Sequence, residues 1–548
     1  MAQPTPGIDK ADPPPPPAVA SFRGSCWRSV LEVVLILAVF VIQGGVLTPG
    51  VNEPNYLAKA THYWNPDWCP HDFFLESADA HLVFYWTFGW LSNWLDLPAL
   101  AVVGRLLTWL LIAIGWQRLS SGLIPRPLYS VLTAALFVLL NVRFHMAGEW
   151  VIGGVEGKGF AYGLVLLGLA ALVRGRWRAC WLWFGAASSL HVLVGGWSVI
   201  AAGFCWLVAG RKQARFLDVF PFMFLGLLLA APGLWAALTT TTLAEPEVVD
   251  RAARIQVFHR LNHHLNPGKF WFAGRFTTPV GGEFGLRFAG MSLFFGALAW
   301  RLRRMGRARR LSLFVVGSLL ISLAGFAVAI LFRENESAAA GILRYYLFRL
   351  SDVMVPLGTA LLLCKALAVE QRRHRRTAQA VLALLVLLAG WHLGEALYLR
   401  HGTIISAADS KLAKTNDQYL DWVDVCRAAA DNTHPDSVFL TPMHNSTFKW
   451  YAGRSEVVNW KEMPQDAPST DEWWTRVRAI HRDGNRWRRS LTELTPQQVR
   501  AMGGRYQAHY LLTEAEPRLA LPLIYRNDSY AIYQLAPAEP PGMAADAN

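Results

Sequence analysis

The chain has 548 residues, 53% of them hydrophobic and 12% aromatic, with 52 Lys and Arg against 39 Asp and Glu, a formal net charge of +13. The apolar residues come in long blocks, which excludes an ordinary soluble enzyme and a disordered chain. The positive charge sits in short stretches between those blocks, so it is a signal of membrane topology and not of a nucleic-acid surface.

Residues 1–27 hold five consecutive prolines and little apolar material, and read as a disordered cytoplasmic tail. The apolar run 30–47 is long enough to cross a bilayer core of roughly 30 Å. A cleaved signal peptide is the alternative, but the following "TPGVNEPN" lacks the small residues of a cleavage site. Further apolar runs lie near 98–117, 128–146, 159–173, 179–193, 195–210, 216–237, 284–300, 311–332, 346–368 and 377–397. They make an α-helical polytopic membrane body of about 11 transmembrane helices over 28–397. Alternate connections carry Arg118 and Arg126; Arg174, Arg176 and Arg178; Arg211, Lys212 and Arg215; "RLRRMGRARR" (301–310); and Lys365 with "RRHRR" (372–376). The positive-inside rule then puts the N-terminus in the cytoplasm, and the cytoplasmic (inner) membrane is the expected location.

The segments between, facing outward, hold the candidate chemistry. "NEPNYLAKATHYWNPDWCPHDFFLESADAHLVFYW" (52–86) packs acids and imidazoles beside the membrane. Charge there is costly unless it lines a cavity. Glu53, the first acid after the first span, is the candidate general base, with a solvated loop acid as the alternative. His71 and Asp72 are candidate substrate-binding residues. Trp86, Trp90 and Trp94 fall four apart and read as one face of an interfacial helix, or else as part of a further span.

In 145–163, Glu149, Glu156 and Lys158 stand between glycines that let backbone approach a ligand closely. The paired carboxylates suit a hard divalent cation (Mg or Mn), and Lys158 suits a phosphate; alternatively Lys158 pairs with Glu156. His191, alone in an apolar run, reads as a core residue. "RIQVFHRLNHHLNP" (254–267) reads as a helical lid in preference to a metal cluster. In 333–352, Arg344 and Arg349 flank Tyr345 and Tyr346 and suit an anionic headgroup, unless Asp352 neutralises Arg349. Cys69 and Cys426 are the two outward cysteines, either separate buried thiols or a disulfide.

After residue 397 the pattern becomes that of an extracytoplasmic α/β domain, 398–548. A helix is expected over 416–431, strands at "SVFLTP" (437–442) and "EVVNW" (456–460), and a helix in 468–481 capped by Ser469 or Thr470. "AHYLLTE", "ALPLIYR" and "SYAIYQL" close the chain as strands, giving a three-layer arrangement.

The first-span exit with "NEPNYLAKATHYWNPDW" resembles the first outer loop of GT-C glycosyltransferases, in which an acid, a tyrosine and a small-residue helix follow the first span. "FLTPMHNSTFKWYAGRSEVVNWKEMPQDAPSTDEWW" resembles the tail of uncharacterised bacterial membrane proteins of the DUF6798 type. The GT-C resemblance implies transfer of a sugar from a polyprenyl-phosphate donor to an extracytoplasmic acceptor. Glu53 would take the acceptor's proton, and Lys158, Arg344 and Arg349 would meet the phosphate. The sequence departs from that class in lacking a DxD pair. Two rivals remain: a transporter or flippase, which needs a charged path at mid-membrane and broken repeats, and a non-catalytic scaffold.

Overall fold

The structure is a computed structural model that describes residues 18–242, 244–271 and 284–535. The expected tail lies partly outside these residues; the first helix, α1 (Ala18–Gly44), already includes residues 18–27. It is followed by α2 (Glu53–Trp64), α3 (Leu82–Thr87), α4 (Leu97–Leu123), α5 (Tyr129–Phe144), α6 (Gly157–Val173), α7 (Trp177–Leu190), α8 (Val192–Cys205) and α9 (Phe216–Thr242). Then come α10 (Pro246–Arg254), α11 (Asn262–Leu265), α12 (Pro267–Phe270), α13 (Phe284–Arg301), α14 (Gly306–Leu331), α15 (Glu336–Leu343), α16 (Arg349–Glu370) and α17 (Arg375–Tyr398).

Each of the apolar runs read from the sequence is a helix. Among the described residues, seven helices are long and apolar enough to cross a membrane, and α5 and α6 are shorter apolar helices. Seven of the eleven expected crossings meet that length and composition among the described residues. The tryptophan stretch is not one helix: α3 ends at Thr87 and a 3₁₀ turn covers Gly89–Asn93. Neither piece is long enough to span a bilayer. Trp86, Trp90 and Trp94 are nonetheless exposed, with Trp90 and Trp94 edge to face at 4.8 Å.

The basic connections gather at one end of the bundle. Arg310 donates to Val173 O, Arg307 to Gly122 O, Lys365 to Leu123 O and Arg174 to Arg118 O. α6 and α16 both run toward that end from the opposite one, where Lys158 and Arg349 stand in their first turns.

The C-terminal part packs on this opposite end. It contains α18 (Asn416–Asn432), β1 (Val438–Leu440), α19 (Phe448–Ala452), β2 (Ser455–Glu456), α20 (Ala467–His481), β3 (Arg482–Asp483), β4 (Arg486–Trp487), α21 (Pro496–Tyr506), β5 (Tyr510–Glu514), β6 (Leu523–Arg526) and β7 (Tyr530–Gln534). The main sheet runs β2-β1-β5-β7-β6, parallel on the β2 side and antiparallel from β5 onward. Alternate residues face opposite layers. Phe439, Leu512 and Ile532 pack with Trp422 of α18, whereas Val438, Leu440 and Leu511 pack with Trp473 and Val477 of α20. Thus the sheet is covered on both faces, as the alternation of elements predicts. The cap of α20 is Asp466, accepting from Ser469 N, and not Ser469 or Thr470. The chain enters that helix one turn earlier because Pro468 suits its first turn.

Cys69 and Cys426 are both free and buried. Cys69 packs with Ala58 and Leu75, while Cys426 lies in the core beside Trp422 and Phe439. They are separate structural thiols, not a disulfide.

Candidate functional site

A cavity of about 390 Å³ lies where the bundle meets the C-terminal part, lined by α2, the 148–158 loop, the α7–α8 junction, α10 and its continuation, residues 344–349 and residues 461–470. α2 starts where Pro54 fits a first helical turn, and its Leu57 and Ala60 are buried against Phe84 and Phe88. That packing turns Asn52, Asn55, Tyr56 and Lys59 toward the cavity.

The 145–156 loop is held by Asp352. Its carboxylate accepts from Met146 N at 2.7 Å, Ala147 N at 2.9 Å and Glu149 N at 3.1 Å. Asp352 therefore anchors a loop and does not neutralise Arg349. Gly148 has φ +75°, a left-handed conformation that favours glycine and turns the loop before Glu149. His264 Nδ1 meets Ala147 O, tying the helical segment after α10 to the same loop.

Glu149, Glu156, Lys158, Arg344, Tyr345 and Arg349 all line the cavity. Lys158 Nζ stands 3.5 Å from Glu149 Oε1 and 3.3 Å from Glu156 Oε1, over the Trp150 ring. The ammonium occupies the place a divalent cation would take between two carboxylates. Among the described residues no cluster of three or more His, Cys, Asp or Glu could hold a metal. The two acids thus do not fit the metal pair expected of them. Arg349 Nε pairs with Glu149 Oε2 at 3.2 Å, and its guanidinium lies over the Tyr346 ring. Arg344 donates to Tyr345 Oη at 3.0 Å.

Three expected residues lie elsewhere. Glu53 is fully buried and does not line the cavity. Arg105 meets both its oxygens, and Gly50 N and Val155 N donate to them at 2.5 and 2.9 Å. A carboxylate so completely bonded is a structural anchor, not a free base. Gly154 lies so close that an added Cβ would come within 2.9 Å of Glu53 Cγ. Asp72 is buried against the C-terminal part, where Oδ2 accepts from Glu456 N at 3.0 Å and lies 3.1 Å from Lys449 Nζ. His71 is exposed, 3.9 Å from Glu76, and also outside the cavity.

The cavity has lining residues that sequence reasoning passed over. His191, read as a core residue, caps α8 and lies 3.1 Å from Arg349 Nη1. The polar break between two apolar runs was its only signal. Lys59 donates to the carbonyls of Phe74, Leu75 and Ser77. Burial lowers its pKa, with Asp79 and Asp72 opposing. Arg260 donates to Trp460 O at 2.8 Å and Lys461 O at 3.3 Å, and burial brings its pKa down to about 10, so it stays charged at neutral pH. His81 is lowered to about 4, by burial first and then by Arg349 and Lys59, and is neutral. In all, Lys59, Lys158, Arg260, Arg344, Arg349 and Lys461 face only Glu149 and Glu156 in the cavity lining. Such a lining carries an excess of basic side chains, which favours an anion.

The family model described as "Domain of unknown function (DUF6798)" matches residues 420–480. That match encloses residues 439–474, the stretch whose sequence carries the same resemblance. No curated protein matches the chain. Among solved structures, ArnT from Cupriavidus metallidurans bound to undecaprenyl phosphate aligns with a TM-score of 0.46 and 13% identity, over 95% of this chain and 99% of that one. The apo state of the same protein aligns at 0.37 and 11% identity, over 94% of this chain and 98% of that one.

Proposed function

We propose that the protein is a membrane glycosyltransferase that takes a sugar from a polyprenyl-phosphate donor and passes it to an extracytoplasmic acceptor. The observation that carries this reading is the excess of basic over acidic side chains in the cavity lining, six against two, at one end of an apolar helical bundle. A lipid-linked phosphate suits such a place, because its tail stays in the bilayer while its headgroup meets the cations. Arg344, whose guanidinium hydrogen-bonds among the described residues to a tyrosine hydroxyl alone, is the cation freest to take up phosphate oxygens. Arg349 and Lys158, already paired with Glu149 and Glu156, form a preorganised wall behind it. With the basic connections inside, this end of the bundle faces outward from the cytoplasmic membrane.

The test is binding of undecaprenyl phosphate to the purified full-length protein, together with mass spectrometry of lipid-linked sugars and envelope glycans in a deletion strain. Binding is expected, with Arg344→Ala weakening it about 10- to 100-fold, the value of one charge-assisted contact. The deletion strain should accumulate one lipid-linked sugar and lack one glycan. No binding and unchanged glycans would remove the reading.

A further inference from the structure

With Glu53 fully engaged and outside the cavity, the acid expected to take the acceptor's proton is not in place to do so. Glu149 lies between Lys158 and Arg349, and Glu156 Oε1 is shared by Lys158 and Asn52 Nδ2, so the oxygens of both carboxylates already face donors. One lining residue from the C-terminal part is placed differently. Lys461 N donates to Asn459 Oδ1 at 2.8 Å, and its carbonyl accepts from Asn55 Nδ2 of α2 and from Arg260, both at 3.3 Å. The next residue, Glu462, is locked into a buried cluster by Lys449. The backbone is therefore fixed on both sides, while Lys461 Nζ makes no hydrogen bond or ion pair with any described residue. Lys59, Lys158 and Lys449 all have such partners.

We propose that Lys461 is the proton acceptor of the transfer reaction, so that the C-terminal part completes the site. The inference rests on the glycosyltransferase reading above. The acceptor's hydroxyl or amine attacks the anomeric carbon and the bond from that carbon to the donor phosphate oxygen breaks. The electron pair leaves on the phosphate, and the acceptor's proton passes to the Lys461 lone pair. The resulting ammonium then stands in the same cavity as the departing phosphate, where it offsets the new charge, and it returns the proton to water on product release.

The electrostatics agree with this geometry. Burial, with Arg260, Lys411 and Lys158 adding and Glu156 opposing, lowers the Lys461 amine to about 7. A substantial fraction is then unprotonated at neutral pH, which is what a base operating there requires.

The experiment uses the full-length protein in nanodiscs. Competitive labelling with acetic anhydride, read by mass spectrometry across pH, should give Lys461 half-maximal reactivity near pH 7, against about 10.4 for ordinary lysines. Turnover is followed as release of polyprenyl phosphate from lipid-linked sugars extracted from native membranes. Lys461→Ala and Lys461→Arg should both lower kcat about 10²–10⁴-fold, with thermal midpoints unchanged. The wild type should lose activity below pH 7. Arginine keeps the charge and cannot accept the proton, so rescue by Lys461→Arg would show an anion-holding role and overturn the proposal. Titration of Lys461 near 10 would overturn it as well, and both results leave the transfer reading standing. A wild type that binds the lipid extract but releases no polyprenyl phosphate from it removes the transfer reading, and the base with it.

Discussion

Glu53 and Arg105 form a buried two-point pair between the start of α2 and the interior of α4, with Nε to Oε1 at 2.6 Å and Nη2 to Oε2 at 2.5 Å. Arg105 Nη1 also donates to Val46 O, so the pair fastens the chain leaving α1 to the bundle. Replacing one partner leaves the other charge buried and uncompensated, which costs ~3–5 kcal/mol. Glu53→Gln is expected to lower the thermal midpoint sharply and increase proteolysis of the 46–64 segment. Glu53→Gln with Arg105→Met should recover part of the loss. A Glu53→Gln protein with wild-type stability and no activity would return Glu53 to a catalytic role.

Lys158 stands where a metal would bridge Glu149 and Glu156. Binding of undecaprenyl phosphate to the wild type should therefore be unaffected by a chelator. Lys158→Ala removes the ammonium and leaves two facing carboxylates. This variant should bind Mg²⁺ or Mn²⁺ more tightly than the wild type, as titration calorimetry would read, and should bind the lipid phosphate more weakly. Chelator-sensitive binding in the wild type would contradict the arrangement.

One lysine, Lys449, serves three buried acids, Asp72, Glu456 and Glu462. Burial first, then the charges of Glu456 and Asp72, raises the Glu462 carboxyl above the usual range, against the opposing pull of Lys449. The folded state thus holds a proton there that the unfolded chain releases above about pH 4.3. Stability from this group is complete below that value and is lost as pH rises through the raised folded pKa. Thermal midpoints should fall as pH rises from about 4.3 to the raised folded pKa and level off above it, and Glu462→Gln, which mimics the protonated form, should flatten that limb. An unchanged slope in the variant would exclude the assignment.

Reporter fusions test the orientation. A reporter in 301–310 should report the cytoplasm, and reporters after Leu397 and at the C-terminus should report the outer side. A cytoplasmic C-terminus would invert the placement of the cavity.

Much of the bundle was legible because its signal is local. Apolar runs of helical length, separated by basic connections, give the same helices whether or not they are packed, since lipid forces each to satisfy its own backbone. The strands of the C-terminal part were likewise marked by β-branched and aromatic residues between turns. The cationic wall was half legible. Arg344 and Arg349 stand at the start of an apolar run, and Lys158 follows a glycine-rich loop, so each looked out of place in its own neighbourhood.

What the sequence by itself determined, then, was a membrane helical body, a basic end, and which segments carry charge at the other end. Only the tertiary structure decided which charges are used up and which are free. Glu53 finds its partner in Arg105, inside an apolar run, and Asp72 finds Lys449 in the C-terminal part. Lys461, in a loop with no motif, is brought into the cavity by contacts with Asn55 and Arg260 from distant segments. Periodicity and composition report a residue's immediate surroundings. The pairing of a buried charge depends on which distant side chain reaches it first in space, and that is fixed only when the helices and the sheet pack.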